Sequence, residues 1–423
     1  MIVDHPSGTV PFRPQTLCDR APRPPPRYRA PVRVDEVVRE YLRIARGLER
    51  LLPGSLDLYG PAAADPDGPP MSAPDLVRAA GRLARAVPDA LEPARADFLR
   101  GQLVACEWTA RRLAGQFVPF VQEVRAAFGV RIAMGSEDGY RAAHRELDDL
   151  LPGPGPLADR VAAYRARDEV PRERLGVAVR ALSEALRERT TTRVELPTGE
   201  SVAYRVVDDA PWSALHRYHG GFSSTVTLNA GAHLRHAQLA QLVAHEVYPG
   251  HHAERCRKEV ALVARGWDEH RVVLANTPQS LVAEGAADLG LHAVVGSGWG
   301  RWAAGVLDGV GLRFDGDLAE RVDAATAVLA RTRQDAALLL HDRHAPEQDV
   351  LAHLRRWLLV GEAPAAAVLR FLGHPVWRAY TTTYIEGPPL LRRWWEAGDP
   401  DERLRRMLDE PFTPWALEAV EAP

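Results

Sequence analysis

The sequence predicts a mainly α-helical fold with one small β-sheet beside a histidine-rich helix. Three observations lead to this prediction. Apolar residues recur at helical spacing through most of the 423 residues. One stretch in the second half alternates polar and apolar residues, as strands do. The sequence AHEVYPGHH, from Ala244 to His252, follows that stretch and begins as a helix.

The first half of the chain is predicted to be an arm followed by helices. Residues 1–33 contain RAPRPPPRYRAPVR, whose prolines favour extended backbone and whose apolar content is too low for a core. Residues 34–189 form an N-terminal helical region, with Asp35 as the expected cap of its first helix. Its further helices are predicted over residues 75–87, 93–113, 120–128, 136–151, 157–167 and 172–188.

Residues 190–423 form the predicted functional region. TTTRVELPTGESVAYRVVD alternates on either side of PTGE and predicts a β-hairpin, and FSSTVTLN over residues 222–229 predicts another strand. A helix from about residue 234 then carries AHEVYPGHH. Later helices are predicted over residues 279–295, 318–341, 347–359, 364–371 and 384–396.

Composition excludes several classes of protein. The net charge is only −3 and arginine is interleaved with acidic residues, so neither nucleic acid nor membrane is an expected partner. Lys258, the only lysine, is expected in solvent, and no Gly-Lys-Ser/Thr phosphate loop exists. The three scattered cysteines and the absence of a basic-then-apolar leader pattern favour the cytoplasm. No pattern predicts an oligomeric state.

The spacing of AHEVYPGHH departs from the His-Glu-x-x-His zinc helix, which would place its second histidine where Pro249 stands. On a straight helix His245 and His251 would diverge by roughly 120°, while His245 and His252 would align about 10 Å apart. Proline removes a helical hydrogen bond and glycine permits unusual backbone angles. We therefore predict a bulge or kink at Pro249 and Gly250 that returns His251 to the face of His245.

These residue types suit a catalytic metal. Glu246 stands where metallopeptidases keep the carboxylate that accepts a proton from water. The best third ligand is Glu284 in LVAEGAADLGLHA, and Asp288 one turn later is placed to orient a ligand histidine. Two histidines and a glutamate predict one Zn²⁺ ion, although iron, cobalt or manganese also accept such ligands. His252 is expected to support the site or the fold. The other nearby histidines are expected in solvent: His233, His236 and His270.

Two segments resemble a bacterial peptidase-like family, domain of unknown function 885. Its hallmark is His-Glu-x-Tyr-Pro-Gly-His-His followed by Glu-Gly-Trp-Ala; HEVYPGHH matches, and EGAA has alanine at the tryptophan position. The resemblance runs from about Tyr218 to the C-terminus. It implies a helical metallopeptidase-like architecture, similar to the thermostable carboxypeptidases, with ligands His245, His251 and Glu284 and with Glu246 as base. It also implies that STVTLN flanks the cleft with an edge open to an extended peptide.

A later segment and several isolated residues complete the candidate site. YTTTYIEG resembles the part of the family in which a tyrosine faces the metal, which implies that Tyr384, or as second choice Tyr380, donates a hydrogen bond to an oxyanion. Arginine binds carboxylates in a two-pronged manner, so arginines are candidates to hold a terminal carboxylate. These candidates are Arg331, Arg333 and Arg378. Further residues expected near ligands or substrate are Tyr248 and Asn229.

The expected function is that of a zinc-dependent hydrolase cleaving an amide bond of a short peptide or amino-acid derivative by a metal-activated water. The expected partner is therefore a small peptide or another small molecule. Two alternatives remain: a metal-dependent enzyme acting on a non-peptide biosynthetic intermediate, and a catalytically silent metal-binding protein. Glu246 argues against the silent protein, because a structural site needs no base.

Overall fold

The fold is taken from a computed structural model that describes residues 33–60, 69–88, 91–210 and 212–419. The predicted arm, residues 1–33, lies outside the described residues except for Arg33. The described residues form eighteen α-helices and five short strands, which confirms the prediction of a mainly helical fold with a small sheet. In this part of the chain no helix is both long and apolar enough to cross a membrane.

Seven helices occupy the first half, close to their predicted positions. They are α1 (Val34–Leu51), α2 (Ala73–Ala86), α3 (Pro93–Leu113), α4 (Phe120–Phe128), α5 (Glu137–Leu150), α6 (Leu157–Arg167) and α7 (Arg172–Thr191). The expected cap at Asp35 is wrong, because α1 begins directly after Arg33 and Asp35 lies in its first turn. The next helix, α2, does have a side-chain cap, because Ser72 forms a capping box with Asp75.

Five strands form two small sheets. They are β1 (Leu56–Leu58), β2 (Ser201–Val207), β3 (Ala214–Gly220), β4 (Ser223–Asn229) and β5 (Val272–Leu274). β1 pairs with β5, while the larger sheet has the order β2-β4-β3, with β2 parallel and β3 antiparallel to β4. The hairpin around PTGE is wrong, because α7 extends to Thr191 and β2 pairs with β4. The open edge of STVTLN is also wrong, since β4 is the central strand and both its edges are paired.

Eleven helices follow the larger sheet. They are α8 (His236–Glu246), α9 (His251–Ala261), α10 (Pro278–Val294), α11 (Trp299–Asp308), α12 (Gly316–Leu329), α13 (Thr332–His341), α14 (Glu347–Leu358), α15 (Glu362–Gly373), α16 (Thr381–Glu396), α17 (Pro400–Asp409) and α18 (Pro414–Glu418). The single helix predicted over residues 318–341 is two helices, α12 and α13. Helices α11, α17 and α18 were not predicted.

Buried α10 lies at the centre of the second half. One apolar cluster joins α1, α2 and α3, and a larger one joins α4 to α7 with α8, α10 and the helices that follow. α10 crosses α16 at two glycines: a Cβ on Gly285 would lie 2.6 Å from the carbonyl carbon of Gly387. Because no side chain separates the backbones there, α16 lies directly against the helix that carries Glu284.

Candidate metal centre

The chain breaks between α8 and α9 at the proline and glycine of the motif. α8 ends at Glu246 and α9 begins at His251, with a cis peptide bond between Tyr248 and Pro249. The predicted bulge or kink within one helix is therefore wrong in form, because two helices meet here. The Gly250 amide donates to the Ala244 carbonyl at 2.9 Å. A Cβ on Gly250 would lie 1.8 Å from the His245 carbonyl oxygen, so only glycine fits.

This break brings His245 and His251 together beside Glu284. The two ring centroids lie 4.7 Å apart with the planes at 85°. His245 Nε2 is 3.3 Å from one Glu284 carboxylate oxygen, and His251 Nε2 is 3.5 Å from the other. One ligand atom from each of the three residues lies within 4.8 Å of the other two. The predicted metal ligands thus converge from α8, α9 and α10.

The spacing and chemistry of these atoms fit a zinc ion. Ligands at about 2.0–2.1 Å in a tetrahedron are about 3.3 Å from one another. Each histidine nitrogen lies at a similar distance from one of the two Glu284 oxygens. Glu284 Oε2 is buried and has no hydrogen-bond partner in the described part of the chain, although His245 lies near it. Such an orphaned acceptor is expected where a cation completes the contacts. Two nitrogens and one carboxylate also leave a fourth position for water or substrate.

A carboxylate lies behind each histidine ligand. Asp288 Oδ1 is 2.8 Å from His245 Nδ1, the arrangement predicted from the one-turn spacing to Glu284. Glu254 lies 3.9 Å from His251 Nδ1 and forms an ion pair with Lys258. The prediction that Lys258 is in solvent is wrong: it is 6 % exposed, because α9 turns it toward buried Glu254. The short contact with Asp288 orients the His245 ring and favours the tautomer that carries its proton on Nδ1, which leaves the Nε2 lone pair for a cation.

The cluster attracts positive charge. Burial alone would lower the pKa of His245, but the neighbouring carboxylates of Asp288 and Glu284 raise it well above its usual value. Burial of His251 is likewise outweighed by Glu284 and Glu254, which raise its pKa to about 9. Burial is again outweighed for Glu284, whose pKa is lowered well below its usual value by the two histidines. A metal therefore competes with protons for this site.

Glu246 supplies an unengaged carboxylate next to the ligands. Its side chain is 8 % exposed and forms no hydrogen bond or ion pair with any described residue. Burial raises its pKa, and the charges of His245 and His251 oppose that shift. A carboxylate with free lone pairs and a raised pKa is suited to accepting a proton.

Two tyrosines of the late segment lie over the cluster. The Tyr380 hydroxyl donates to Glu284 Oε1 at 2.8 Å. Tyr380, predicted as the second choice after Tyr384, is therefore the tyrosine that contacts a predicted metal ligand. The Tyr384 ring lies 5.7 Å from that of Tyr380, is 39 % exposed, and its hydroxyl bonds to no described residue. Desolvation, followed by the charge of Glu284, raises the pKa of both phenols well above the usual value. Both are therefore neutral donors, and Tyr384 is the one with a donor to spare.

His252 and Tyr248 belong to a separate cluster under the larger sheet. His252 is fully buried; its ring nitrogens lie 2.8 Å from Ser224 Oγ and 2.8 Å from Glu200 Oε2. The Tyr248 hydroxyl donates to the same Glu200 oxygen. Although burial raises the pKa of Glu200, hydrogen bonds from His252, Tyr248 and Arg187 lower it to about 2. This network ties the motif to the start of β2.

Other candidates lie away from the cluster. Asn229 uses its side chain to hold the loop between β2 and β3, donating to the carbonyls of Ala210 and Trp212. Arg331 pairs with Glu386 at 3.2 Å and Arg378 pairs with a glutamate of α4 at 3.2 Å. Both guanidinium groups are thereby already engaged. Arg333, in contrast, lines a cavity.

Two of the three histidines expected in solvent are buried. His236 is 6 % exposed with Nδ1 2.7 Å from the Asp168 carbonyl oxygen, and His270 is 2 % exposed against Phe98. Only His233 is exposed, where it meets Glu169 at 2.7 Å. Neither Glu254 nor Glu200 was among the residues predicted near the site. Glu254 follows His251 by three residues, and this helical spacing could have predicted that the two side chains are neighbours.

Comparison with known proteins shows the fold alone. No family model matches the chain, and no curated protein matches it. The chain is similar in structure to the putative lipoprotein from Colwellia psychrerythraea, with a TM-score of 0.53, 13 % identity, and coverage of 88 % of this chain and 67 % of the other. It is also similar to a putative lipoprotein of unknown function from Shewanella oneidensis, with a TM-score of 0.50, 12 % identity, and coverage of 82 % and 72 %. Identities this low establish a shared fold and nothing about activity.

Proposed function

We propose that the protein is a zinc-dependent hydrolase that cleaves an amide bond of a short peptide or amino-acid derivative. One observation carries the proposal: His245, His251 and Glu284 converge with ligand-like spacing beside Glu246, a buried carboxylate that bonds to no described residue. A purely structural site has no use for such a carboxylate. The likeness of the motif to domain of unknown function 885 agrees with this proposal.

The residues divide the chemistry among them. His245, His251 and Glu284 would hold the zinc ion, which would supply a Lewis acid for the carbonyl oxygen and for the attacking water. Glu246 accepts a proton from the water that attacks the amide carbonyl. As the carbon–nitrogen bond breaks, Glu246 returns that proton to the leaving amine. The Tyr384 hydroxyl donates a hydrogen bond to the carbonyl oxygen of the amide as that oxygen becomes negative. Tyr380 holds Glu284 in place through its hydrogen bond.

The decisive experiment replaces Glu246 by Gln, which keeps the shape and removes the base. We expect the zinc content of wild type and a turnover of short peptides lower by about 10²–10⁴-fold. Glu362→Gln, an exposed position at the start of α15, is the matched control and should turn over peptides like wild type. Wild-type turnover by Glu246→Gln would refute the mechanism. Zinc-loaded wild type that cleaves no peptide would favour the non-peptide substrate.

We further propose a cytoplasmic location. Cys106 and Cys256 are buried and unpaired, as in proteins of reducing compartments. The two structural neighbours are named putative lipoproteins, so an exported location is the competing hypothesis. Fractionation of cells that produce the full chain distinguishes the two.

A further inference from the structure

Five aromatic side chains lie in a row between the end of α15 and the first turn of α16. We call this row the aromatic stripe; its members are Phe371, His374, Trp377, Tyr380 and Tyr384. They recur every three or four residues along the chain. The side chains of Leu372, Val376 and Ala379, which lie between them in sequence, are at most 1 % exposed. The segment thus buries its aliphatic side and turns its aromatic side outward.

The aromatic stripe is continuous and reaches the metal centre. The ring centres of Phe371 and His374 lie 6.2 Å and 6.1 Å from that of Trp377. Trp377 lies 5.2 Å from Tyr380, whose hydroxyl donates to Glu284 at 2.8 Å. Trp377 is therefore one tyrosine side chain away from a predicted metal ligand. Since an extended residue spans about 3.3–3.6 Å, this separation corresponds to about two or three residues of a bound peptide.

The rings of the stripe are accessible to a ligand. Aromatic residues at such spacing usually belong to a core, but Phe371 is 36 % exposed and Tyr384 is 39 % exposed, while Trp377 and Tyr380 are half-buried. Exposed apolar groups that are contiguous mark interaction surfaces. The surrounding chain also desolvates the Tyr384 hydroxyl enough to raise its pKa well above the usual value. A ring that is open to water and yet desolvated lies in a recess.

The backbone that carries the stripe is fixed by hydrogen bonds from other parts of the chain. Asn276 donates to the Val376 carbonyl at 2.7 Å, and Arg112 donates to the Pro375 carbonyl at 2.7 Å. The Val376 amide donates to His374 Nδ1 at 3.1 Å. A surface held in this way is formed before the ligand arrives, so binding costs little ordering of the protein.

The chemistry of the stripe suits an aromatic ligand group. Trp377 has the largest ring, and the planes of Phe371 and His374 lie within 8° and 22° of its plane. An aromatic side chain packs on such rings in offset-stacked or edge-to-face contact, with a gain beyond that of burial alone. An alanine side chain reaches too little of this surface to gain in the same way.

We infer that the aromatic stripe binds an aromatic side chain of the substrate, with Trp377 as the residue that recognises it. The inference rests on the proposed function and specifies its substrate. The substrate class is a short peptide or amino-acid derivative with an aromatic side chain within about three residues of the amide that is cleaved.

Calorimetric titration tests the inference without turnover. The protein is zinc-loaded full-length Glu246→Gln, and the probes are tetra-alanine and the four peptides that carry phenylalanine at one of its positions. We expect at least one phenylalanine peptide to bind about tenfold or more tightly than tetra-alanine. Adding Trp377→Ala should abolish this preference and leave the affinity for tetra-alanine unchanged, whereas Trp377→Phe should keep most of it because a ring remains.

Two further variants complete the test. Trp302→Ala is the matched control, because Trp302 is also half-buried but its ring faces Arg189 of α7; the preference should survive there. Should Trp377→Ala fail to fold, Phe371→Ala at the exposed end of the stripe should still reduce the preference by about threefold.

Equal binding of all five peptides would overturn the inference, as would a preference that survives Trp377→Ala. Equal weakening of tetra-alanine and the phenylalanine peptides by Trp377→Ala would also overturn it, because that is the result of a purely structural role. Self-association of wild type that Trp377→Ala abolishes, measured by sedimentation, would assign the stripe to a second copy of the chain instead.

The outcome is separate from that of the proposed function. Peptide turnover by wild type without a preference for phenylalanine refutes the aromatic subsite alone. A preference that depends on Trp377, without any turnover by wild type, refutes the hydrolase alone.

Discussion

His251 and His252 are consecutive residues with opposite surroundings. His251 faces His245 and Glu284, at distances that suit a shared cation. His252 points the other way, and both its ring nitrogens have partners at 2.8 Å. Adjacent positions at the start of α9 face different sides of the helix, so one segment serves two clusters.

The difference shows how a ligand site is distinguished from a structural network. In the cluster of His252 and Glu200 the polar atoms satisfy one another, which stabilises the fold and leaves nothing for a ligand. In the cluster of His251 and Glu284 a buried carboxylate oxygen lacks a partner, and a second carboxylate, Glu246, is free. Unsatisfied buried groups cost stability, so their presence indicates that something else completes them.

The largest expected effect comes from Gly250→Ala, which disrupts both clusters at once. The added Cβ would lie 1.8 Å from the His245 carbonyl oxygen, so the backbone must move and the two rings must separate. We expect destabilisation of about 3 kcal/mol or more and loss of bound zinc. Urea unfolding and metal analysis measure the two effects.

The matched control is Gly305→Ala in α11, where no atom lies within 4 Å of the added Cβ. It should stabilise the protein by up to about 1 kcal/mol and retain zinc, since alanine is the better helix former. A Gly250→Ala protein as stable as wild type and fully loaded with zinc would contradict the description of the break.

Glu200→Gln should damage only the structural network. Its carboxylate is 1 % exposed and accepts hydrogen bonds from Tyr248, His252 and Arg187. Loss of the charge should cost about 2–3 kcal/mol of unfolding free energy. Zinc content should equal that of wild type, and a loss of zinc in a folded Glu200→Gln protein would mean that the two clusters are not separate.

The stability that Glu200 contributes should depend on pH. Folding lowers the pKa of Glu200 from 4.5 to about 2, so the unfolded chain binds more protons between these values. The stabilisation is therefore complete above the unfolded pKa and is lost as pH falls toward 2. The difference in stability between wild type and Glu200→Gln should be full at neutral pH and much smaller at about pH 3. A difference that does not change with pH would contradict the assignment.

A smaller effect is expected from Asp288→Asn. The carboxylate behind His245 orients the ring and strengthens it as a ligand. Removing its charge should weaken zinc binding by about 10–100-fold with little change in stability. Competition with a chromophoric chelator measures the affinity. Asp317→Asn, at a surface ion pair of α12, should bind zinc like wild type.

Local patterns predicted the helices well and the strand pairing poorly. The bounds of α3, α4 and α6 were predicted to the residue, because apolar spacing and flanking residues are properties of the segment itself. β2 was placed in a hairpin because its true partner, β4, begins more than twenty residues later in the chain. The pattern over residues 318–341 remained apolar at helical spacing through the break between α12 and α13.

Residues of the candidate site at short sequence spacing were likewise predicted, and those that depend on distant contacts were not. Ligands at short spacing, and Asp288 one turn after Glu284, could be recognised from the chain alone. Glu200 could not, because it lies 52 residues from the histidine it contacts. The interruption at Pro249 was expected, but its form was not: the Gly250 amide bonds to Ala244, and Pro249 lies against Gly290 of α10. Those contacts depend on how α8 and α10 pack.

The most direct measurement is zinc per chain in wild type, His245→Ala, His251→Ala and Glu284→Gln, with Glu200→Gln as the control, each loaded with zinc and then dialysed. We predict about one ion in wild type and in Glu200→Gln, as a three-ligand catalytic site holds. We predict none in the other three. Stoichiometric zinc in any of those three variants, or none in wild type, would contradict the convergence of these residues on one cation.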